Sequence, residues 1–296
     1  MERKKAGDFP PEVLKLFDGY VHGRMSRREF LEGAGRYAAG GFTALAMLEA
    51  LQPNFAWAQQ VKVDDPRIAS QRVDYPSPKG SGTMRGYLAK PAGAPAKLPS
   101  IVVIHENRGL NPYIEDVARR LATEGYVAFA PDALAPAGGY PGDEDKARDM
   151  FARLDPAKRT ADLLAAADYV KSRPDFNGKY GVVGFCFGGG MANTYATHFP
   201  DLNAAVPYYG VQPKAEEAAK IKSPVLAHYA SEDERITSGW PAFDKVLTEH
   251  HVEHAGCIYP NTQHGFHNDT TPRYDEQAAK LSWQRPLAFF QRHVKS

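Results

Sequence analysis

The chain has 296 residues, 43% of them hydrophobic and 24% charged, enough for one large α/β domain with an extension or for two small domains. A net charge of +1 supplies no basic field for nucleic acid. Two cysteines, Cys186 and Cys257, cannot build a disulfide framework or a thiolate zinc cluster, and a single bridge between them would consume the more informative of the two.

The first 58 residues differ in composition from the rest. Pro11 to Val21 has the apolar spacing of an amphipathic helix. Ser26-Arg27-Arg28-Glu29-Phe30-Leu31 matches the twin-arginine export pattern, an apolar small-residue run follows from Tyr37 to Leu48, and Ala56-Trp57-Ala58 resembles a small-x-small cleavage site. The run is too short for a stable membrane span, which needs about 20 apolar residues. Residues 1–58 are therefore expected to be a leader handled by the twin-arginine translocation machinery, giving a periplasmic or secreted chain that begins near Gln59. Glu49 closing the run, and the long stretch before the arginines, favour the alternative: a helical arm retained on a cytoplasmic protein.

Residues 59–296 are expected to form one α/β domain. Thr83–Leu88 alternates like an early antiparallel strand, and Pro91–Pro99 is rich in proline, alanine and glycine, as turns are. Ser100–Ile104 is a continuous apolar run, the pattern of a strand covered on both faces. Helix patterns over Ile114–Glu124, Glu144–Arg153, Ala157–Arg173, Gly239–His250 and Tyr274–His293 alternate with strand patterns over Tyr126–Ala130, Tyr180–Val183, Ala204–Tyr209, Pro224–Tyr229 and Ala255–Tyr259. Such alternation predicts a mostly parallel sheet with helices on both faces.

Gly184-Phe185-Cys186-Phe187-Gly188 sits between one of those strands and a plausible helix start. Strand, Gly-x-nucleophile-x-Gly, helix is the nucleophile elbow, here with a thiol in the nucleophile position. Glycines are expected at 184 and 188 because a side chain would clash as the strand reverses into the helix. Ligands collect where loops leave the carboxyl ends of parallel strands. Asp233 and His264 lie after two such strands, and the chain order nucleophile, acid, histidine suits a thiol activated by an imidazole that a carboxylate orients. Among ten histidines, His250/His254 and His264/His267 also have close spacing, but no carboxylate is placed to complete a metal site with either pair.

On His105-Glu106-Asn107-Arg108-Gly109-Leu110, the cysteine elbow, Asp233 and His264-Gly265-Phe266, the chain from about Gln71 to His293 resembles the dienelactone hydrolases, or carboxymethylenebutenolidases, of the α/β-hydrolase superfamily. The resemblance implies a Cys186–His264–Asp233 triad that cleaves a small ester or lactone through an acyl-enzyme, with no metal or organic cofactor. It implies that Glu106 modulates the nucleophile, and that the backbone N–H groups of Phe187 and Asn107 form the oxyanion hole. The dienelactone-cleaving members carry a carboxylate-binding arginine four residues after the triad histidine. Asn268 stands there in this chain, so Asn268, Arg108 and Tyr140 are the candidate substrate contacts, and Arg108 or Arg273 would have to hold any carboxylate. The competing reading is a non-catalytic binding module that uses the N-terminal arm as its interface; whether the chain forms a homo-oligomer is left open.

Overall fold

The computed structural model describes residues 4–38, 42–93 and 97–296. Residues 39–41 of the apolar run and 94–96 of the proline-rich turn lie outside the described residues.

The N-terminal segment folds into three helices, α1 (Pro11–Val21), α2 (Arg27–Ala34) and α3 (Ala44–Leu51). Pro11 opens α1, where a missing N–H costs nothing. Ser26 caps α2 in a capping box with Glu29, so the twin-arginine motif is the first turn of a capped helix, and Phe30 is its buried residue. The three helices share an apolar cluster that includes Val13, Phe17, Tyr20, Phe30, Met47 and Leu51. Among the described residues, no helix is long and apolar enough to cross a membrane.

The body follows in the order β1 (Ile68–Ser77), β2 (Gly82–Pro91), β3 (Leu98–Ile104), α4 (Pro112–Thr123), β4 (Val127–Pro131), α5 (Glu144–Ala152), α6 (Pro156–Ser172), β5 (Phe176–Phe185), α7 (Phe187–His198), β6 (Ala204–Tyr208), α8 (Ala215–Ala218), β7 (Val225–Ala230), α9 (Glu234–Thr237), α10 (Trp240–Glu249), β8 (His254–Tyr259) and α11 (Glu276–Phe290). The eight strands form one sheet, ordered β1-β2-β4-β3-β5-β6-β7-β8. The pairs β1–β2 and β2–β4 are antiparallel and all the others are parallel. Strand β1 escaped the sequence pattern because it is an edge strand with mostly polar, exposed residues, Gln71, Arg72 and Asp74 among them.

Side chains alternate across the central strands, so each face has its own core. Ile101 and Val103 of β3 pack on one side with α4 and α11, whereas Val102 and Ile104 face the other with α6, α7 and α10. Covered on both faces, β3 to β7 hold the loops at their carboxyl ends in fixed positions. The body is tied down from its first residues: the backbone N–H groups of Gln60 and Val61 donate to Asp116 on α4, at 3.3 and 2.9 Å.

Candidate active site

Cys186 lies between β5 and α7 with φ 57° and ψ −113°. A non-glycine residue in that region is strained by about 1–3 kcal/mol, and the surrounding backbone holds it there. Its N–H donates to the Tyr208 carbonyl of β6 at 3.0 Å. A Cβ on Gly184 would lie 1.9 Å from the Gly188 carbonyl oxygen, and one on Gly188 would lie 2.2 Å from that of Ile104. Both glycines therefore permit backbone-to-backbone approach, as the elbow pattern requires. Phe187 is the first residue of α7, so its N–H has no acceptor within the helix. Phe187, Asn107 and Cys186 line the same cavity, of about 460 Å³.

Asp233 is the N-cap residue of α9, just beyond β7, and His264 lies in the loop after β8. The sheet brings them together: His264 Nδ1–H donates to Asp233 Oδ2 at 2.5 Å, and both residues are buried. This bond fixes the tautomer and leaves Nε2 as the lone-pair nitrogen. Among the described residues, Nε2 has no hydrogen-bond partner.

A second histidine, singled out by no sequence pattern, reaches the same thiol. His22 caps the C-terminus of α1. Its Nε2 lies 3.5 Å from Cys186 Sγ, and its ring meets the His264 ring edge-on at 4.7 Å. Its Nδ1 lies 2.7 Å from the Asp18 carbonyl oxygen and 3.1 Å from Asp18 Oδ1. Burial alone would lower the His22 pKa, but the charge of Cys186 and the hydrogen bonds to Asp18 and Cys186 outweigh it, and the net direction is up. Asp18 is held well below the usual carboxylate range: burial opposes this, and His22, His264 and Arg273 together prevail. His22, Cys186 and His264 each offer an atom within 4.8 Å of the others, the one such three-residue group among the described residues. The other close histidines are not brought together. His254 Nε2 faces Asp244, and His267 turns away from His264 to the Tyr113 hydroxyl.

The remaining sequence candidates lie around this centre in unequal roles. Glu106 Oε2 accepts from Asn268 Nδ2 at 3.1 Å, and both line a small cavity beside Cys186. Asn268 thus occupies itself with the glutamate. Arg108 is buried and engaged: it donates to the Val21 carbonyl at 3.1 Å and to Asn107 Oδ1 at 2.6 Å, and its Nε lies 3.6 Å from Glu144. Arg273 reaches the same small cavity, with Nε and Nη1 unpartnered among the described residues. Tyr140 departs from expectation. Its hydroxyl donates to Glu144 at 2.9 Å, and it lines a separate cleft with Arg72 and Asp132. Cys257 is a free thiol on β8, as Cys186 is on its turn.

A family model described as the dienelactone hydrolase family matches residues 84–294, and a second, described as YqhI-like, matches residues 1–39. The chain is 57% identical over 114 residues to a candidate hydrolase fragment, YghX, of Escherichia coli K12, covering 38% of this chain and 97% of that one. It is 32% identical over 228 residues to a candidate carboxymethylenebutenolidase of Salmonella typhi, covering 72% and 84%. Among solved structures, a candidate dienelactone hydrolase from Klebsiella pneumoniae superposes with a TM-score of 0.66 at 30% identity, covering 75% of this chain and 98% of that one. With its mostly parallel eight-stranded sheet and the family match over most of its length, the chain is a hydrolase of the dienelactone hydrolase family, with the α/β-hydrolase fold.

Proposed function

We propose that the protein cleaves a small carboxylic ester or lactone through a covalent acyl-enzyme on Cys186. The observation that carries this reading is the elbow thiol beside a buried Asp233–His264 pair whose free Nε2 faces the nucleophile. As thiolate, Cys186 attacks the carbonyl carbon, and the developing oxyanion is received by the N–H groups of Phe187 and Asn107. Each aligned donor of that kind is worth roughly 10²–10³ in rate. His264, oriented by Asp233, then takes a proton from the water that releases the acyl group.

The cavity next to Cys186 suits a small substrate. Much of its wall is apolar, with Met191, Tyr209, Val211, Pro213 and Ile236 among the lining residues, and its volume of about 460 Å³ is that of a small-ligand site. Glu106 places a carboxylate near the thiol, and a neighbouring negative charge opposes thiolate formation. We read it as the modulator of the nucleophile, with Asn268 holding it in place. Arg273, with unpartnered nitrogens in the small cavity, is the better candidate for a substrate carboxylate, since the Val21 carbonyl and Asn107 already engage Arg108.

The test is Cys186→Ala in the full chain against a panel of chromogenic short-chain esters and lactones. Loss of turnover with an unchanged thermal midpoint supports the assignment, and retained turnover refutes it. Iodoacetamide labelling of Cys186 in a wild-type protein that turns over nothing on the panel would favour the non-catalytic binding module.

A further inference from the structure

Two Asp–His pairs converge on one sulfur. One is Asp233–His264 of the body. The other, Asp18–His22, comes from a helix more than 160 positions upstream of the thiol it meets, the His22–Cys186 separation being 164. We propose that the N-terminal arm completes the active site, with His22, oriented by Asp18, as the catalytic imidazole that takes the thiol proton of Cys186 and holds the thiolate. This rests on Cys186 being the nucleophile.

The geometry divides the work between the two imidazoles. His22 Nε2 contacts the sulfur at 3.5 Å, within hydrogen-bond range for the larger atom, whereas His264 Nε2 is left without a partner. An imidazolium at position 22 is favoured twice: by the Asp18 carboxylate, and by its place at the C-terminus of α1, where the helix dipole presents its negative end. That leaves the unpartnered Nε2 of His264 to act on water.

The arm is seated as a wall of the site rather than a stopper in it. The cavity of about 460 Å³ is lined by both His22 and Cys186 and stays open with the arm in place. Several independent contacts fix the seat. The Val21 carbonyl accepts from Asn107 and Arg108, Arg27 pairs with Asp145 at 3.1 Å, and the guanidinium of Arg148 lies over the Tyr20 ring at 4.4 Å. The Arg273 guanidinium lies over Phe17 at 5.3 Å, and Asn54 N–H donates to the Thr270 carbonyl at 2.8 Å. The YqhI-like match over residues 1–39 contains α1, α2 and His22.

The proton inventory closes. The thiol proton moves to His22, giving a thiolate–imidazolium pair. The thiolate forms the S–C bond, the ester C–O bond breaks, and the departing alkoxide takes the proton from His22. His264 removes one proton from water, the hydroxide attacks the thioester, and the C–S bond breaks to release the acid and the thiolate. The proton on His264 passes to the adjacent His22, restoring the resting pair.

The experiment uses the full chain and reads iodoacetamide alkylation of Cys186 against pH, together with kcat and KM on a chromogenic ester. The charged and titratable groups around His22 are Asp18 on its own helix, Cys186 at the elbow, Glu106 and Arg108 after β3, Glu144 on α5, and His264 and Arg273 after β8. His22→Gln is expected to move the alkylation midpoint upward, toward that of an ordinary cysteine near 8.5, and to lower kcat/KM at pH 7 on the order of 10²-fold. Asp18→Asn should shift the same midpoint in the same direction by less. His22→Ala with added free imidazole should regain part of the lost activity, which a merely structural role would not allow. An unchanged alkylation profile with unchanged kcat/KM in His22→Gln overturns the proposal. So does a gain of activity, which would make the arm a plug, or failure of imidazole to rescue His22→Ala. Turnover by Cys186→Ala would instead overturn the nucleophile assignment itself.

Discussion

Gly188 offers a direct measure of how far catalysis depends on the close approach of β3, β5 and α7. In Gly188→Ala the new Cβ would lie 2.2 Å from the Ile104 carbonyl oxygen and 2.7 Å from that of His105, both backbone atoms that no rotamer change can move aside. Ordinary van der Waals contact begins at 3.4 Å, so α7 and the end of β3 must separate by about 1 Å. That displacement falls on the helix start that carries the Phe187 N–H and on the strand end that leads to Asn107. Overpacking of this kind destabilises by about 1–3 kcal/mol. The larger effect is expected in rate: a 1 Å misplacement of a catalytic group costs on the order of 10²-fold, and a lost oxyanion donor 10²–10³-fold. Gly190→Ala is the control. Its Cβ meets nothing closer than 3.7 Å, and alanine in a helix is favoured over glycine by up to about 1 kcal/mol. Steady-state kinetics on a short-chain ester and calorimetric unfolding of both variants provide the comparison. If Gly188→Ala keeps wild-type kcat and midpoint, or if Gly190→Ala is the more damaged of the two, the close-approach reasoning is wrong.

Two further outcomes follow from the paired carboxylates. Asp233→Asn should lower kcat on the order of 10⁴-fold by losing control of the His264 tautomer, with Cys186 still alkylated by iodoacetamide; equal turnover would show that His264 needs no orienting acid. His22 has a folded-state pKa raised above its ordinary 6.5, so the stability it contributes is full below about pH 6.5 and is lost as pH rises through the raised value. The thermal midpoint of the wild type minus that of His22→Gln should therefore be largest near pH 6 and shrink toward pH 9. Asp18, shifted down, acts only in acid and leaves this trend intact. A difference that grows with pH would contradict the paired imidazolium.

Much of the body was legible because its signals are local. Continuous apolar runs marked β3 and β5, the glycines at 184 and 188 marked a turn that only glycine fits, and Asp233 and His264 stood at strand ends where a parallel sheet gathers its ligands. The helix over Pro11–Val21 was legible for the same reason. What escaped depends on contacts distant in sequence. His22 follows that helix as one polar residue in an ordinary cap, and nothing within ten residues of it reveals that a thiol beyond β5 waits above it. The twin-arginine motif reads as a targeting signal in isolation, yet Ser26, Glu29 and Phe30 are also what a capped, half-buried helix requires. Asn268 stands where the resemblance leads one to expect an arginine, and only the fold shows what it holds, the carboxylate of Glu106. The placing of Tyr140 beside a separate cleft was not legible, because the direction of a loop is set by what it packs on rather than by its own residues.

The seating of Val21 between Asn107 and Arg108 also has a consequence in time. The arm leaves the ribosome ahead of the body, and its helices share an apolar cluster of their own. The surface that receives it is finished only when Thr270 and Arg273 have been made. At about 5–20 residues per second, on the order of ten seconds or more separate the two events. Through that interval the helices have no seat, and the thiol, once made, has no arm beside it. The loop after β8 therefore sets the moment at which α1 can dock and the site can close around its nucleophile.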